Sequence, residues 1–206
     1  MEVICLNYRN YQRARDAAWR ILIDCGVDRL PVETVALCGK LGCRLYSYEA
    51  GRRLIQAFRL ERQAGAADGF TVMHRGVPYV FYNGKTTAGR QRFTVAHELG
   101  HIVLGHLGES EHSTRNREPA QDDTPEETQA NQFAARLLAP ACVLHALQAL
   151  TPKEISALCG ISMQAACFRA ERMCELEARG RFLQHPLERE VMAQFEAFVR
   201  SHLASI

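Results

Sequence analysis

The sequence has no C-x-x-C pair, although it carries eight cysteines, at positions 5, 25, 38, 43, 142, 159, 167 and 174. Most of them fall inside apolar helical patterns. That spacing excludes a zinc ribbon, argues against a disulfide scaffold, and reads the cysteines as small buried hydrophobes in a reducing cytoplasm. Long apolar runs are also missing. No stretch approaches the roughly 20 residues of a membrane span, and Arg9 and Asn10 interrupt the N-terminus before a signal-peptide core develops. Neither export nor membrane attachment is expected. Charge of one sign is not in excess: Lys+Arg 25 against Asp+Glu 23 leaves +2, too little for a dedicated nucleic-acid binder. Internal repeats and low-complexity tracts are absent. What is present is 206 residues with 47% hydrophobic content, enough for one ordinary domain and a small second one.

Ala14, Ala17, Ala18, Ile21 and Leu22 recur at helical spacing and predict a helix over 10–25, stopped near Gly26. Pro31 suits the first turn of a second helix that ends at Gly39 or Gly42. "CRLYSYE" alternates as a strand over about 43–48. Two more strands, about 70–74 and 77–82, form a hairpin around Arg75 and Gly76. Residues 107–123 are polar, aperiodic and long for a loop, which marks them as mobile or functional. Thr124 as cap and Pro125 at the first position then open a helix over about 125–138. From residue 151 onward, a capping box from Thr151 to Glu154, a turn at Gly160 and a Ser162 cap make two short helices like a helix-turn-helix.

The stretch "RFTVAHELGHIVLGH" places His97 and His101 four apart with Glu98 between them. On a helix over about 88–105, side chains at i and i+4 share a face one turn apart, so both imidazoles can grip one ion. Neutral imidazoles suit zinc, and the neighbouring glutamate suits the role of general base toward water. Read as structure alone, the helix is an amphipathic one with histidines as polar decoration. Against that reading, two inward imidazoles need partners. Gly100 also costs about 1 kcal/mol relative to alanine, which makes sense where a backbone or substrate approaches closely.

The third ligand is less direct. An extended metzincin motif needs glycine at 104 and histidine at 107, where this chain has Leu104 and Leu107. His106 falls about 180° from His97 on a continued helix and faces away. A carboxylate from the following helix completes a His₂Glu set instead. Glu127 and Asn131 share one face there, so Glu127 can bind metal while Asn131 bonds a histidine from behind. Glu127 also completes a capping-box pattern with Thr124, and on spacing alone that alternative stays open. Glu126 points about 100° away and lacks the asparagine.

Taken together, "RFTVAHELGHIVLGH" and "EETQANQFAARLLAP" resemble the ImmA/IrrE family of metallopeptidases, whose ligand helix runs E-x-x-A-N-x-F-A-A-x-L-L-x-P. Here the second element supplies Glu127, Ala130, Asn131, Phe133, Ala134, Ala135, Leu137, Leu138 and Pro140. The preceding "PYVFYNG", with Asn83, is similar to the family's strand before the active-site helix. Where relatives often carry methionine before the proline, this chain has Ala139, which bears on packing only. The resemblance implies an α+β fold. Residues 1–150 would form a zincin-like peptidase domain, a small antiparallel or mixed sheet packed on the active-site and ligand helices, with N-terminal helices. Residues 151–206 would form an all-α, helix-turn-helix-like region. It further implies zinc at His97, His101 and Glu127, Glu98 as catalytic base, and a cytoplasmic helix-turn-helix repressor as substrate, whose cleavage releases mobile-element or stress-response genes. Manganese is also accommodated by such ligands.

Some assignments rest on chemistry alone. An oxyanion donor could come from Tyr79, Tyr82 or His112. Substrate could add as an extra strand to an edge near 77–83, with Asn83 at its end. In the last region Gln164, Arg169 and Arg172 are the side chains a DNA-reading helix would use, while Cys167, Phe168 and Met173 look like packing. Direct DNA binding is therefore not expected. The rival reading is a DNA-binding regulator with an inert metal site.

Overall fold

The computed structural model describes residues 2–107 and 124–205, and over them the chain is mixed α+β and mostly helical. The order is α1 (Glu2–Asp24), α2 (Thr34–Lys40), β1 (Arg44–Ser47), α3 (Arg52–Phe58), α4 (Glu61–Ala66), β2 (Gly69–His74), β3 (Val77–Tyr82), α5 (Ala88–Val103), α6 (Pro125–Leu138), α7 (Ala141–Ala146), α8 (Pro152–Cys159), α9 (Met163–Ala178) and α10 (Pro186–Leu203). Among the described residues no helix is long and apolar enough to cross a membrane.

β2 and β3 pair antiparallel, with Thr71 opposite Val80, around a turn in which Arg75 and Gly76 hold φ at 50° and 73°. Two successive left-handed residues give the twist that a tight hairpin needs. β1 joins β3 in parallel, giving the order β1-β3-β2. The edge expected near 77–83 is thus corrected: β3 is the central strand, hydrogen-bonded on both sides, and among the described residues the edges belong to β1 and β2. Asn83 is corrected with it. Its N–H donates to Asp68 O at 2.7 Å and its Oδ1 accepts from Lys85 N at 3.0 Å, so it closes a turn after β3.

Alternation along the strands sorts two faces. Phe70, Val72, Phe81 and Tyr79 cluster with Ile55 and Leu60 on the outer face, covered by α3 and α4, which sequence periodicity did not reveal. Val80 and Tyr82 turn toward the main core, where Leu22, Leu99, Phe133, Leu137, Ile155 and Phe195 are buried together. α2 begins at Thr34, so Pro31 lies ahead of the helix and not in its first turn.

α6 packs against both α1 and α5. Gly100 permits the second contact: a Cβ there would sit 3.1 Å from Ala130 Cα and 3.1 Å from Phe133 Cδ1. The close approach that this glycine implied is that of the α6 backbone. At the far end of α5, Arg13 Nη2 donates to Leu104 O at 2.6 Å and fills one of the carbonyls a helix terminus leaves open. At its start, Arg92 Nη1 donates to Gly160 O at 2.5 Å, in the connection between α8 and α9.

That connection follows the expected chemistry. Thr151 and Glu154 close a capping box, Gly160 takes φ 59°, and Ser162 caps α9 through Ala165 N. Of the three α9 residues read as packing, only Met173 is buried; Phe168 is 65% exposed and Cys167 is exposed. Met173 shares the inward face with Ala166, Arg169 and Ala170, whereas Phe168 falls on the opposite side of the helix.

Candidate metal centre

Thr87 caps α5 by accepting from Arg90 N, and the helix continues unbroken to Val103. His97 and His101 therefore lie one turn apart on one face, and both are buried, at 2% and 3% exposure. Their Nε2 atoms are 3.0 Å apart. Glu127, from the first turn of α6, meets them: Oε2 lies 3.1 Å from His97 Nε2 and Oε1 lies 3.2 Å from His101 Nε2.

Glu127 also takes part in the cap, but with a different atom. Its backbone N–H donates to Thr124 Oγ1 at 3.3 Å, while its carboxylate goes to the imidazoles. The contrast is Glu154, whose carboxylate does return to Thr151 N, at 3.0 Å. Burial alone would push the Glu127 carboxyl up. The hydrogen bonds and charges of His101 and His97 outweigh that and hold it well below the usual carboxylate range.

Each imidazole is held from behind. His97 Nδ1 is 2.8 Å from Asn131 Oδ1, an oxygen that can only accept, so Nδ1 carries a proton, and with a cation bound Nε2 would be the nitrogen that ligates it. His101 Nδ1 is 3.1 Å from His106 Nδ1. The expectation that His106 faces away is corrected, because it extended the helix past its end. Gly105, at φ 69°, turns the chain, and His106 N donates back to His101 O at 2.9 Å.

Glu98 is 5% exposed and accepts from Thr71 Oγ1 at 2.8 Å. It lines one small cavity with His97, His101, Glu127, Gly69 and Leu107. Gly69 lets β2 run this close to α5, since a Cβ there would come within 2.3 Å of Thr94 Cγ2. Thr71, Gly69 and His106 were not legible as site residues. The signal available was a lone threonine between Phe70 and Val72, and alternation does not say which strand face meets a catalytic helix.

The remaining candidates separate. Tyr79 lies on the outer face, its ring 6.3 Å from Tyr46 and 5.7 Å from Phe58, away from the cavity. Tyr82 is on the inner face but packs against the main core and does not line the cavity either. His112, with 108–123, lies outside the described residues.

Two imidazole nitrogens and a carboxylate, buried and convergent within 4.8 Å, fit a divalent cation, which would also relieve the crowding of facing Nε2 atoms. Such a centre beside a second buried glutamate is the equipment of a metallopeptidase. The family model described as the IrrE N-terminal-like domain, a peptidase family, matches residues 50–171, and the chain belongs to that family. No curated protein matches the chain.

Proposed function

We propose that this protein is a zinc endopeptidase of the H-E-x-x-H type that cuts a cytoplasmic helix-turn-helix repressor and so releases mobile-element or stress-response genes. The observation that carries the reading is the meeting of His97, His101 and Glu127 in one buried cavity with Glu98. His97, His101 and Glu127 hold the cation; when bound, it supplies Lewis acidity toward a scissile carbonyl and makes water more acidic. Glu98 accepts the proton of the attacking water and returns it to the leaving amine. Thr71 fixes the orientation of that carboxylate, and Asn131 and His106 fix the imidazoles. β2 is a sheet edge beside Glu98, so an extended substrate pairs with its backbone. Residues 1–150 act as the zincin-like peptidase domain, and the helix-turn-helix-like 151–206 serves structure or repressor docking.

The DNA-reading alternative fits the geometry less well. Arg169 is 8% exposed, and Arg172 Nη2 donates inward to Tyr11 Oη at 2.7 Å. The test is incubation of the zinc-loaded protein with candidate repressors, read by mass spectrometry of the fragments. Cleavage that chelator and Glu98→Gln both abolish supports the reading. Intact repressors and an uncut peptide library, with zinc bound, sink it.

A further inference from the structure

At the opposite end of α6 from Glu127, a cavity of about 440 Å³ opens between α1, α6, α9 and the connection to α10. Arg15, Arg136, Arg169, Arg172, Arg179 and Arg181 all line it. Glu188 is the acid among the lining residues, and burial pushes its carboxyl up. Asp16 pairs with Arg15 at 2.7 Å, and Glu175 pairs with Arg172. Among the described residues no carboxylate pairs with Arg136, Arg169, Arg179 or Arg181.

Arg169 is the telling residue. It is 8% exposed, and its Nε has no hydrogen-bond partner. Burial and the neighbouring Arg136 press its pKa down to about 10. A desolvated guanidinium with an open donor, beside a second, half-buried guanidinium, is a costly arrangement unless an anion completes it.

The neighbours are pre-aligned. Arg136 donates to Gln132 O at 2.8 Å and lies 4.4 Å over the Tyr11 ring, while Arg172 donates to Tyr11 Oη. Arg15 lies 4.9 Å over Trp19, which forms another wall. Stacking on aromatic faces fixes these planar forks, so little freedom is lost when they close on a ligand.

We propose that this cavity binds a small anion with two or more phosphoryl groups. Guanidinium forks from several helices match phosphoryl oxygens in pairs, and the excess of cations over acids calls for more than one negative charge. The volume suits a small molecule. A duplex presents its phosphates on a convex surface and does not enter a concave pocket. Inorganic polyphosphate and a nucleotide share the required chemistry. The proposal stands independently of the peptidase reading, because no metal-centre residue takes part.

Titration calorimetry of the full chain with pyrophosphate and with ATP, at roughly physiological salt, tests it. The expected result is saturable one-to-one binding of at least one of them. That binding weakens about tenfold or more in Arg169→Met and in Arg172→Gln, and is unchanged in Arg90→Gln, which pairs with Asp68 and does not line the cavity. Tighter binding of pyrophosphate assigns an inorganic source, and tighter binding of ATP a nucleotide. If Arg169→Met fails to fold, Arg172→Gln, whose side chain is 31% exposed, carries the comparison. No saturable binding of either anion overturns the proposal. So does binding that both variants retain, or duplex DNA binding through these arginines without either small anion.

Discussion

Thr71 Oγ1 donates to Glu98 Oε2 at 2.8 Å, tying the edge strand to the helix that carries both imidazoles. The bond occupies one oxygen of a carboxylate that lines the cavity and leaves the other to accept a proton. Glu98→Gln should therefore abolish peptide cleavage, a loss of about 10²–10⁴ for a general base, with metal content unchanged. Thr71→Val should cost about tenfold in kcat with little change in KM, since it disturbs orientation alone. A Thr71→Val protein as active as wild type would remove that positioning role.

Metal content separates the two adjacent glutamates. Zinc-supplied wild type should hold about one ion by elemental analysis, as should Glu126→Ala, and Glu127→Ala should hold almost none. Stoichiometric zinc retained in Glu127→Ala would mean that the ligand set is different.

Asn131→Ala and His106→Ala leave the ligands in place but free the imidazoles to rotate. Each should weaken zinc by about 10–100-fold in competition with a chromophoric chelator. Unchanged affinity would show that packing of the buried rings suffices.

Two helical glycines should respond in opposite directions. Gly100→Ala forces a methyl to 3.1 Å from Ala130 Cα, and the overpacking, about 1–3 kcal/mol, outweighs the gain in helix propensity. Gly39 in α2 has nothing within 4 Å, so Gly39→Ala should stabilise by up to about 1 kcal/mol. Denaturant midpoints decide both.

Cysteine labelling follows burial. The Cys38, Cys142 and Cys159 thiols are each pushed up to about 12 by burial. At pH 8 only about one in 10⁴ of such thiols is thiolate, and access is closed as well. Cys167 and Cys174 are exposed. A maleimide pulse at pH 8, mapped by peptide mass, should mark those two quickly and the other three only after denaturation.

The centre was legible where a period and a residue type coincide. His97 and His101 repeat at helical spacing, and Glu127 stands one turn before Asn131 on the next apolar helix. The Thr124–Glu127 pattern was ambiguous because a capping box and a ligand use the same spacing; the backbone amide serves one and the carboxylate the other. His106 was misplaced because a helical wheel continues past Val103 and the chain does not. The strand edge was misjudged because hydrophobic alternation in β3 reports its two faces but not its neighbours, and β1 arrives from far along the chain. α3 and α4 are too short for periodicity to distinguish them from loop.

The bond from Arg92 to Gly160 O reaches from the start of α5 to the corner between α8 and α9. It gives the helix of the imidazoles a footing outside the sheet that flanks it. The Arg92 side chain thus splints the N-terminal end of α5 to the α8–α9 corner, so the two share one anchoring point.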